Sequence, residues 1–426
     1  MSNSIKNIVD NIEINNLKKK VINNKKIFEI VEKFIKNKKL ILYGGYALNL
    51  ILPKNKKIYR EYTSADFDCY SYSAKEDSIQ LAKKLKKMKY NLIKVKLAKH
   101  ENTYKLYVGT LNVLDITQLD KKIYDIFIKI HKYEKHNNLL IHYDDSFNII
   151  PLYLMKRNMH YELARPEGSY YRWEKIYNRS NILDNVYFTK KFNELRSNCK
   201  LNINDNTYLK IPNEWNNCIN QLLSYIKKQN CPIIDNYAIK LINNITDKNC
   251  CRINTYSNIL VILTKKYKKT CNDIIKIINN TIDKKKYKIL KQDKTYTTSS
   301  VDILETRYRV VLEDISTKKR VSLISIINVA NNCFSIQKIK GYTVGSIDTI
   351  LCFLYSYYLT YLVAKYLEYR HNTVLEDTQQ YINLYENMIH KIKLNKRLLT
   401  NCYGKEISND DIYLKNWDKK LSILKF

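Results

Sequence analysis

Glycine and proline are scarce, at 7 and 5 in 426 residues. That scarcity excludes collagen-like and Gly/Pro-rich low-complexity sequence. Long apolar runs are missing as well. No stretch reaches the ~20 apolar residues that cross a bilayer, and the opening MSNSIKNIVDNIEINN has no apolar signal core. The most apolar helical segment, Ser346 to Leu367, carries Asp348, several tyrosines and Lys365, so it reads as a buried or partner-facing helix. The 10 cysteines are scattered without a C-x-x-C pair, which excludes a zinc site of that type and implies reduced thiols in a cytosolic compartment. The 7 histidines form no cluster at metal-ligand spacing. Acids are few too: 41 Asp and Glu face 74 Lys and Arg, a formal net charge of +33.

What is present is a folded chain. Hydrophobic residues make up 45% and aromatics 12%, too much apolar content for a disordered basic tail. At about 150 residues per domain the length allows two or three domains. Lys, Asn, Ile and Tyr have A/T-rich codons, so genome bias accounts for part of the composition. It does not make bases outnumber acids nearly two to one, and the excess points to a polyanion partner.

Along the chain, Ile5, Ile8, Val9 and Ile12, then Ile27, Ile30, Val31, Phe34 and Ile35, recur at helical spacing and predict helix over residues 1 to about 40. The run LILYGG (Leu40 to Gly45) ends in the only Gly-Gly pair of the sequence, and YALNLIL opens a helix behind it. ADFDCYSYS (Ala65 to Ser73) alternates like a strand, a basic helix covers about Asp77 to Met88, and strands are predicted near 94–97, 104–108 and 111–117. The order is that of an α+β module.

In Asp66-Phe67-Asp68 the period of two points both carboxylates to one face and Phe67 to the other. Two like charges so close are unfavourable unless a cation lies between them. Asp115 sits in the otherwise apolar run LNVLDIT, where an unpaired acid is costly to bury. Three carboxylates on adjacent strands form an oxygen-rich site for Mg²⁺ or Mn²⁺, and two such metals activate an attacking hydroxyl and stabilise a leaving pyrophosphate. Gly44 and Gly45 allow close backbone approach, and amides at a helix N-terminus suit a triphosphate.

YGGYALNL (Tyr43 to Leu50), REYTSADFDCY (Arg60 to Tyr70) and VLDIT (Val113 to Thr117) together resemble the nucleotidyltransferase superfamily that includes DNA polymerase β and poly(A) polymerases. Length, basicity and Lys/Asn/Ile/Tyr richness are similar to the poly(A) polymerase catalytic subunit of poxviruses and giant DNA viruses. The resemblance implies a polymerase β-like fold, ATP as substrate, an RNA 3′ end as acceptor, and Asp66, Asp68 and Asp115 as catalytic metal ligands. It also implies nucleotide contacts from Gly44, Gly45 and Ser64, and from a helix downstream of the third acid. Lys156, Arg172, Lys175 and Arg179 are assigned that last role, the latter three recurring at i, i+3, i+7 among Tyr170, Tyr171, Trp173 and Tyr177. The host cytoplasm, a viral factory or the virion is the implied location.

The second half of the chain echoes the first. Tyr46 to Ile51 matches Tyr237 to Ile242 at an offset of 191, with four of six residues identical. Ser64 to Asp68 falls on Ser257 to Val261 at 193, and Ser78 to Lys87 on Asn272 to Thr281 at 194. Such matches in order argue for a duplicated module. In the copy Gly44 and Gly45 become Asp235 and Asn236, while Asp66 and Asp68 become Ile259 and Val261, so it keeps no metal pair. The expected plan is an N-terminal helical segment (1–40), a nucleotidyltransferase domain (41–185), a connecting segment (186–230) and a degenerate copy with C-terminal helices (231–426). The copy would bind RNA or support a homodimer, with the apolar helix after Ser346 as its partner face. Template-independent adenylyl transfer is the leading expectation. Uridylyl or CCA addition, toxin-like tRNA or protein modification, and a non-enzymatic RNA-binding or processivity role are the alternatives.

Overall fold

Ser2–Lys38 forms one helix, α1, in the computed structural model of the protein. Its second half buries Ile27, Phe28, Val31, Phe34 and Ile35, the stripe expected of a core-facing helix. Each such side chain contributes about 1.5–3 kcal/mol when fully buried. Ile8, Val9 and Ile12 keep the helical spacing but stay exposed. The structure describes residues 2–59, 67–98, 102–136, 140, 143, 146–188, 213–234, 237, 238, 241, 242, 260–294, 307–318, 320–329, 332–366, 382, 386, 397–406, 424 and 425.

After α1 come β1 (Ile41–Tyr43), α2 (Gly44–Ile51), β2 (Asp68–Ser71), α3 (Ala74–Lys87), β3 (Ile93–Leu97), β4 (Thr103–Val108), β5 (Leu111–Gln118), α4 (Lys121–His136), β6 (Asn148–Ile149) and α5 (Leu152–Leu163). The sheet order is β3-β4-β5-β2-β1-β6, and Leu424 and Lys425 add a short edge strand beside β3. β2 runs parallel to β5, and β1 parallel to β6; β1/β2, β3/β4 and β4/β5 are antiparallel. α3 starts a few residues earlier than its basic pattern predicts, because polar side chains close the turn before it. Ser71 Oγ and Ser73 Oγ donate to Asp77 Oδ2 at 2.6 and 3.2 Å, and the Ser73 amide donates to Ser71 Oγ at 2.9 Å.

The chain divides into two compact units, 1–155 with 298–301 and 408–426, and 156–297 with 302–407. The division falls inside α5, ahead of residue 185, where the first domain was expected to end. The second unit contains α6 (Pro166–Ser169), α7 (Trp173–Leu183), α8 (Asn216–Lys228), β7 (Leu260–Thr264), α9 (Tyr267–Thr281), β8 (Tyr287–Lys294), β9 (Arg307–Asp314), β10 (Arg320–Asn328), β11 (Cys333–Ile339), β12 (Tyr342–Gly345), α10 (Ile347–Tyr366) and β13 (Cys402–Gly404).

Its four-stranded sheet, β7-β10-β9-β8, repeats the order and senses of β2-β5-β4-β3. Ile233 bridges Ile262 antiparallel and Val344 parallel, as Leu42 does with Cys69 and Ile149. Even the turn into the helix recurs: Thr264 Oγ1 lies 2.8 Å from Thr270 Oγ1 and accepts the Lys266 amide at 3.1 Å. Val261 and Ser325 are registered neighbours on β7 and β10, as Asp68 and Asp115 are on β2 and β5. Both replacements are fully buried. Asp235, Asn236 and Ile259 lie outside the described residues.

Two expectations need correction. Among the described side chains of α10, residues 347–357 and 359 are buried, so this helix is a core element of its unit and offers no open partner face there. Cys333 and Cys402 form a disulfide with Cα atoms 5.3 Å apart, so not all thiols are reduced. The pairing of β11 with β13 brings together residues 69 apart in sequence, a contact that residue spacing did not signal. No helix among the described residues is long and apolar enough to cross a membrane.

Glu134 on α4 is buried and accepts the Leu152 amide at 3.0 and 3.2 Å. Burial pushes its carboxyl up to about 8, against the smaller pull of that amide. The folded chain therefore holds a proton that the unfolded chain releases above about 4.5, and this site's contribution to stability falls as pH rises from there to about 8. Glu134→Gln keeps the acceptor and removes the titration. Thermal melts should show the variant several degrees more stable than the parent at pH 8 and no more stable near pH 4.5.

Candidate active site

One backbone hydrogen bond sets the geometry: the Asp115 amide donates to the Phe67 carbonyl at 2.9 Å. It fixes the parallel register of β2 with β5, in which Asp68 and Asp115 are direct neighbours. Registered neighbours share a face, about 4.8 Å apart. Phe67 points the other way into the core, against Phe28 and Tyr46, as the period of two predicts. On the far side of β2, Tyr43 is registered with Asp68.

Gly44 follows Tyr43 and begins α2 with φ +71°, a left-handed conformation suited to glycine. A Cβ at Gly44 would lie 2.7 Å from Asp68 Oδ2, so the missing side chain is what lets this backbone approach the carboxylate. No side chain caps the N-terminus of α2, whose first residues are Gly44 and Gly45. Its amides are thus not taken by a capping side chain.

Asp115 is only 8% exposed, and its carboxylate is engaged on both oxygens. The Lys105 ammonium donates to Oδ2, and Asn112 Nδ2 donates to Oδ1 at 2.8 Å. The negative charge of the pair is felt nearby. Burial, then the charge of Asp68, raises the Tyr43 hydroxyl well above its usual range, and burial followed by Asp68 and Asp115 does the same to the Cys69 thiol. Burial alone would lower Lys105, but its hydrogen bond to Asp115 and the charges of Asp115 and Asp68 hold it above the usual lysine range.

The donor set fits a hard divalent cation. Two carboxylates share one face, and Asn112 Oδ1 is a buried oxygen with no hydrogen-bond partner among the described residues. Oxygen donors of this kind are what Mg²⁺ and Mn²⁺ take. Asp66 and Ser64 lie outside the described residues. Lys105 and Asn112 were missed by the motif reading; a lysine in an alternating strand reads as a solvated face, and only the β4–β5 register puts it on Asp115.

The expected basic contacts lie in the second unit. Lys156 is fully buried, with its ammonium 2.5 Å from Asp184 Oδ1 and 3.1 Å from Glu386 Oε1. Around it His160 lies between Asp348 (2.8 Å) and Glu386 (3.0 Å), and Arg397 bonds both Asp348 oxygens at 3.0 Å. Burial would raise the Asp348 carboxyl, but Arg397 and His160 hold it at about 2. This is an internal ionic cluster. Arg172 donates to Glu162 Oε1 at 2.6 Å from the turn before α7, where Tyr170 and Tyr171 are exposed. Lys175 on α7 is exposed and Arg179 half-buried, while Ile176, Ser180 and Leu183 form the buried stripe.

Residues 29–169, which include Gly44, Gly45, Asp68 and Asp115, match the family model of the poly(A) polymerase catalytic subunit. The resemblance carried by the motifs holds over this stretch. A protein of Acanthamoeba polyphaga mimivirus named for the same subunit is 30% identical over 157 residues, 36% of this chain and 25% of that protein. The match thus spans about a quarter of that curated relative. The crystal structure of the Megavirus polyadenylate synthase shares the fold, with a TM-score of 0.72 and 19% identity over 100% of this chain and 84% of that one. The fold is therefore the α+β one expected, that of a viral polyadenylate synthase. Arg172, Lys175 and Arg179 fall beyond the matched residues.

Two substitutions separate architecture from chemistry. Gly44→Ala places a methyl against Asp68 and forces a left-handed alanine, a cost of about 1–2 kcal/mol; a melt should show a lower Tm, with weaker Mn²⁺ binding by titration. Lys156→Met leaves Asp184 and Glu386 without their ammonium. Urea unfolding should record a loss of about 3–5 kcal/mol, the scale for breaking a buried ion pair from one side.

Proposed function

We propose that the chain is a template-independent polynucleotide adenylyltransferase that adds AMP from ATP to RNA 3′ ends by two-metal-ion catalysis. The observation that carries this reading is the in-register pairing of Asp68 with Asp115 beside the Gly44 turn, within the stretch that matches the poly(A) polymerase catalytic subunit. Asp66, Asp68 and Asp115 would hold the divalent cations, Mg²⁺ or Mn²⁺. Such cations, when bound, supply acidity for the attacking 3′-hydroxyl and charge relief for the departing pyrophosphate. Asp68 and Asp115 orient that charge through a fixed strand register. Gly44 and Gly45 offer uncapped amides to the triphosphate, and Gly44 keeps the approach to Asp68 open.

Ser64, Arg172, Lys175 and Arg179 are the further proposed nucleotide contacts, with Tyr170 and Tyr171 as surfaces on which bases stack. The excess of positive charge, +33, holds RNA through its phosphates, so RNA affinity should fall steeply with salt. Action within the cytoplasm of an infected host cell, and as a homodimer, belongs to the same proposal.

Incubation with each NTP, Mg²⁺ or Mn²⁺ and an RNA primer bearing a 3′-hydroxyl tests the reading. Extension is expected with ATP alone. It should drop at least about 100-fold in Asp68→Ala and in Asp115→Ala, the scale for removing a group that stabilises transition-state charge. Undiminished extension in both variants would overturn the metal-site assignment, and no extension with any NTP would overturn the enzyme reading.

A further inference from the structure

The register of β4 against β5 sets Lys105 directly opposite Asp115, while that of β2 against β5 sets Asp68 on the other side of Asp115. One row across three strands therefore reads ammonium, carboxylate, carboxylate on a single face. Lys105 takes Asp115 Oδ2, and Asn112 takes Oδ1. An external cation that takes Oδ2 of Asp115 must compete there with the positive charge of the Lys105 ammonium.

An exposed cross-strand ion pair would contribute little. This one differs because the acid is buried: the Asp115 side chain is 11% exposed against 33% for Lys105. An uncompensated carboxylate there would be costly. The second unit provides an internal comparison. At the register of Asp115 it has the neutral Ser325, and the residue opposite, Arg309, directs its Nε to Ser322 Oγ at 2.8 Å instead. With no carboxylate opposite it, Arg309 Nε donates to a hydroxyl, and Ser325 Oγ takes its guanidinium hydrogen bonds from Arg307, at 3.2 and 2.9 Å.

Resting on the reading that Asp68 and Asp115 hold divalent cations, we propose that Lys105 is a built-in counter-ion for Asp115, displaced when the metal binds. It is a positioning residue. It holds the empty site together, and by competing for Oδ2 it sets the metal concentration at which the site fills. Binding exchanges one ion pair for another, Lys105 with Asp115 for metal with Asp115, and no covalent step is involved.

The test is direct binding of Mn²⁺ to the full chain without nucleotide, read by the electron paramagnetic resonance signal of free Mn²⁺ and by the Mn²⁺-induced rise in Tm. Parent, Lys105→Met, Lys105→Gln, Asp68→Asn and Asp115→Asn are compared. Removing the competing positive charge should tighten binding at least about threefold in both Lys105 variants, at unchanged stoichiometry. Their metal-free Tm should be lower than the parent's and their rise with Mn²⁺ larger. Equal or weaker binding in the Lys105 variants, with binding lost in Asp115→Asn, would overturn the counter-ion role and leave the metal site standing. Unchanged binding in both aspartate variants would overturn the metal site and the counter-ion role together. Lys105→Gln keeps a hydrogen-bond donor for Asp115, so the comparison survives if the methionine variant folds poorly.

Discussion

The pairing of β2 with β5 is the constraint on which the site depends. The Asp115 amide on the Phe67 carbonyl locks two parallel strands in one register, and that register leaves Asp68 and Asp115 side by side. Two charges at about 5 Å repel by roughly 3 kcal/mol at an effective dielectric near 20. The surroundings answer that repulsion piece by piece. Lys105 and Asn112 engage Asp115, and the bare Gly44 backbone gives the Asp68 carboxylate room. Shift the register by one residue and Phe67 would leave the core while the acids entered it.

The second unit shows that the frame does not need the acids. Its strands β7, β10, β9 and β8 keep the order and senses of β2, β5, β4 and β3, yet Val261 and Ser325 fill the two acid positions and are fully buried. A valine there adds apolar burial where an aspartate adds desolvation cost. Folding alone would favour the second arrangement. Acids kept at such a cost are what a functional site would require, which supports the role proposed for Asp68 and Asp115.

Much of this was legible in the sequence. The spacing of Ile27, Val31, Phe34 and Ile35 marked α1, and the alternation around Phe67 marked β2 and the faces of its residues. Asp115 stood out because an acid in an apolar strand needs a reason. The repeat from Tyr46 to Tyr237 is an expectation of the sequence, beside which β7, β10, β9 and β8 keep the order and senses of β2, β5, β4 and β3. Lys105 did not stand out, since its meaning lies in a cross-strand register that no local pattern encodes. Lys156 misled for the same reason: Asp184, Asp348, Glu386 and Arg397, which enclose it or its neighbour His160, are distant in sequence. The disulfide between Cys333 and Cys402 likewise depends on β11 meeting β13.

The two sets of buried charges differ in a way that bears on their roles. Lys156, His160, Asp184, Asp348, Glu386 and Arg397 are each at most 3% exposed, and their ion pairs are with one another, with the Tyr355 hydroxyl also donating to Glu386. Exchange of any partner would require opening the unit, so this cluster is built to hold. At Asp115 the acid is buried but its ammonium, on a flexible stem, is a third exposed. Lysine's compact, well-hydrated charge can return to water at small cost, where the planar fork of an arginine would bind a carboxylate bidentately. Lysine therefore suits the counter-ion role proposed for this position better than arginine would.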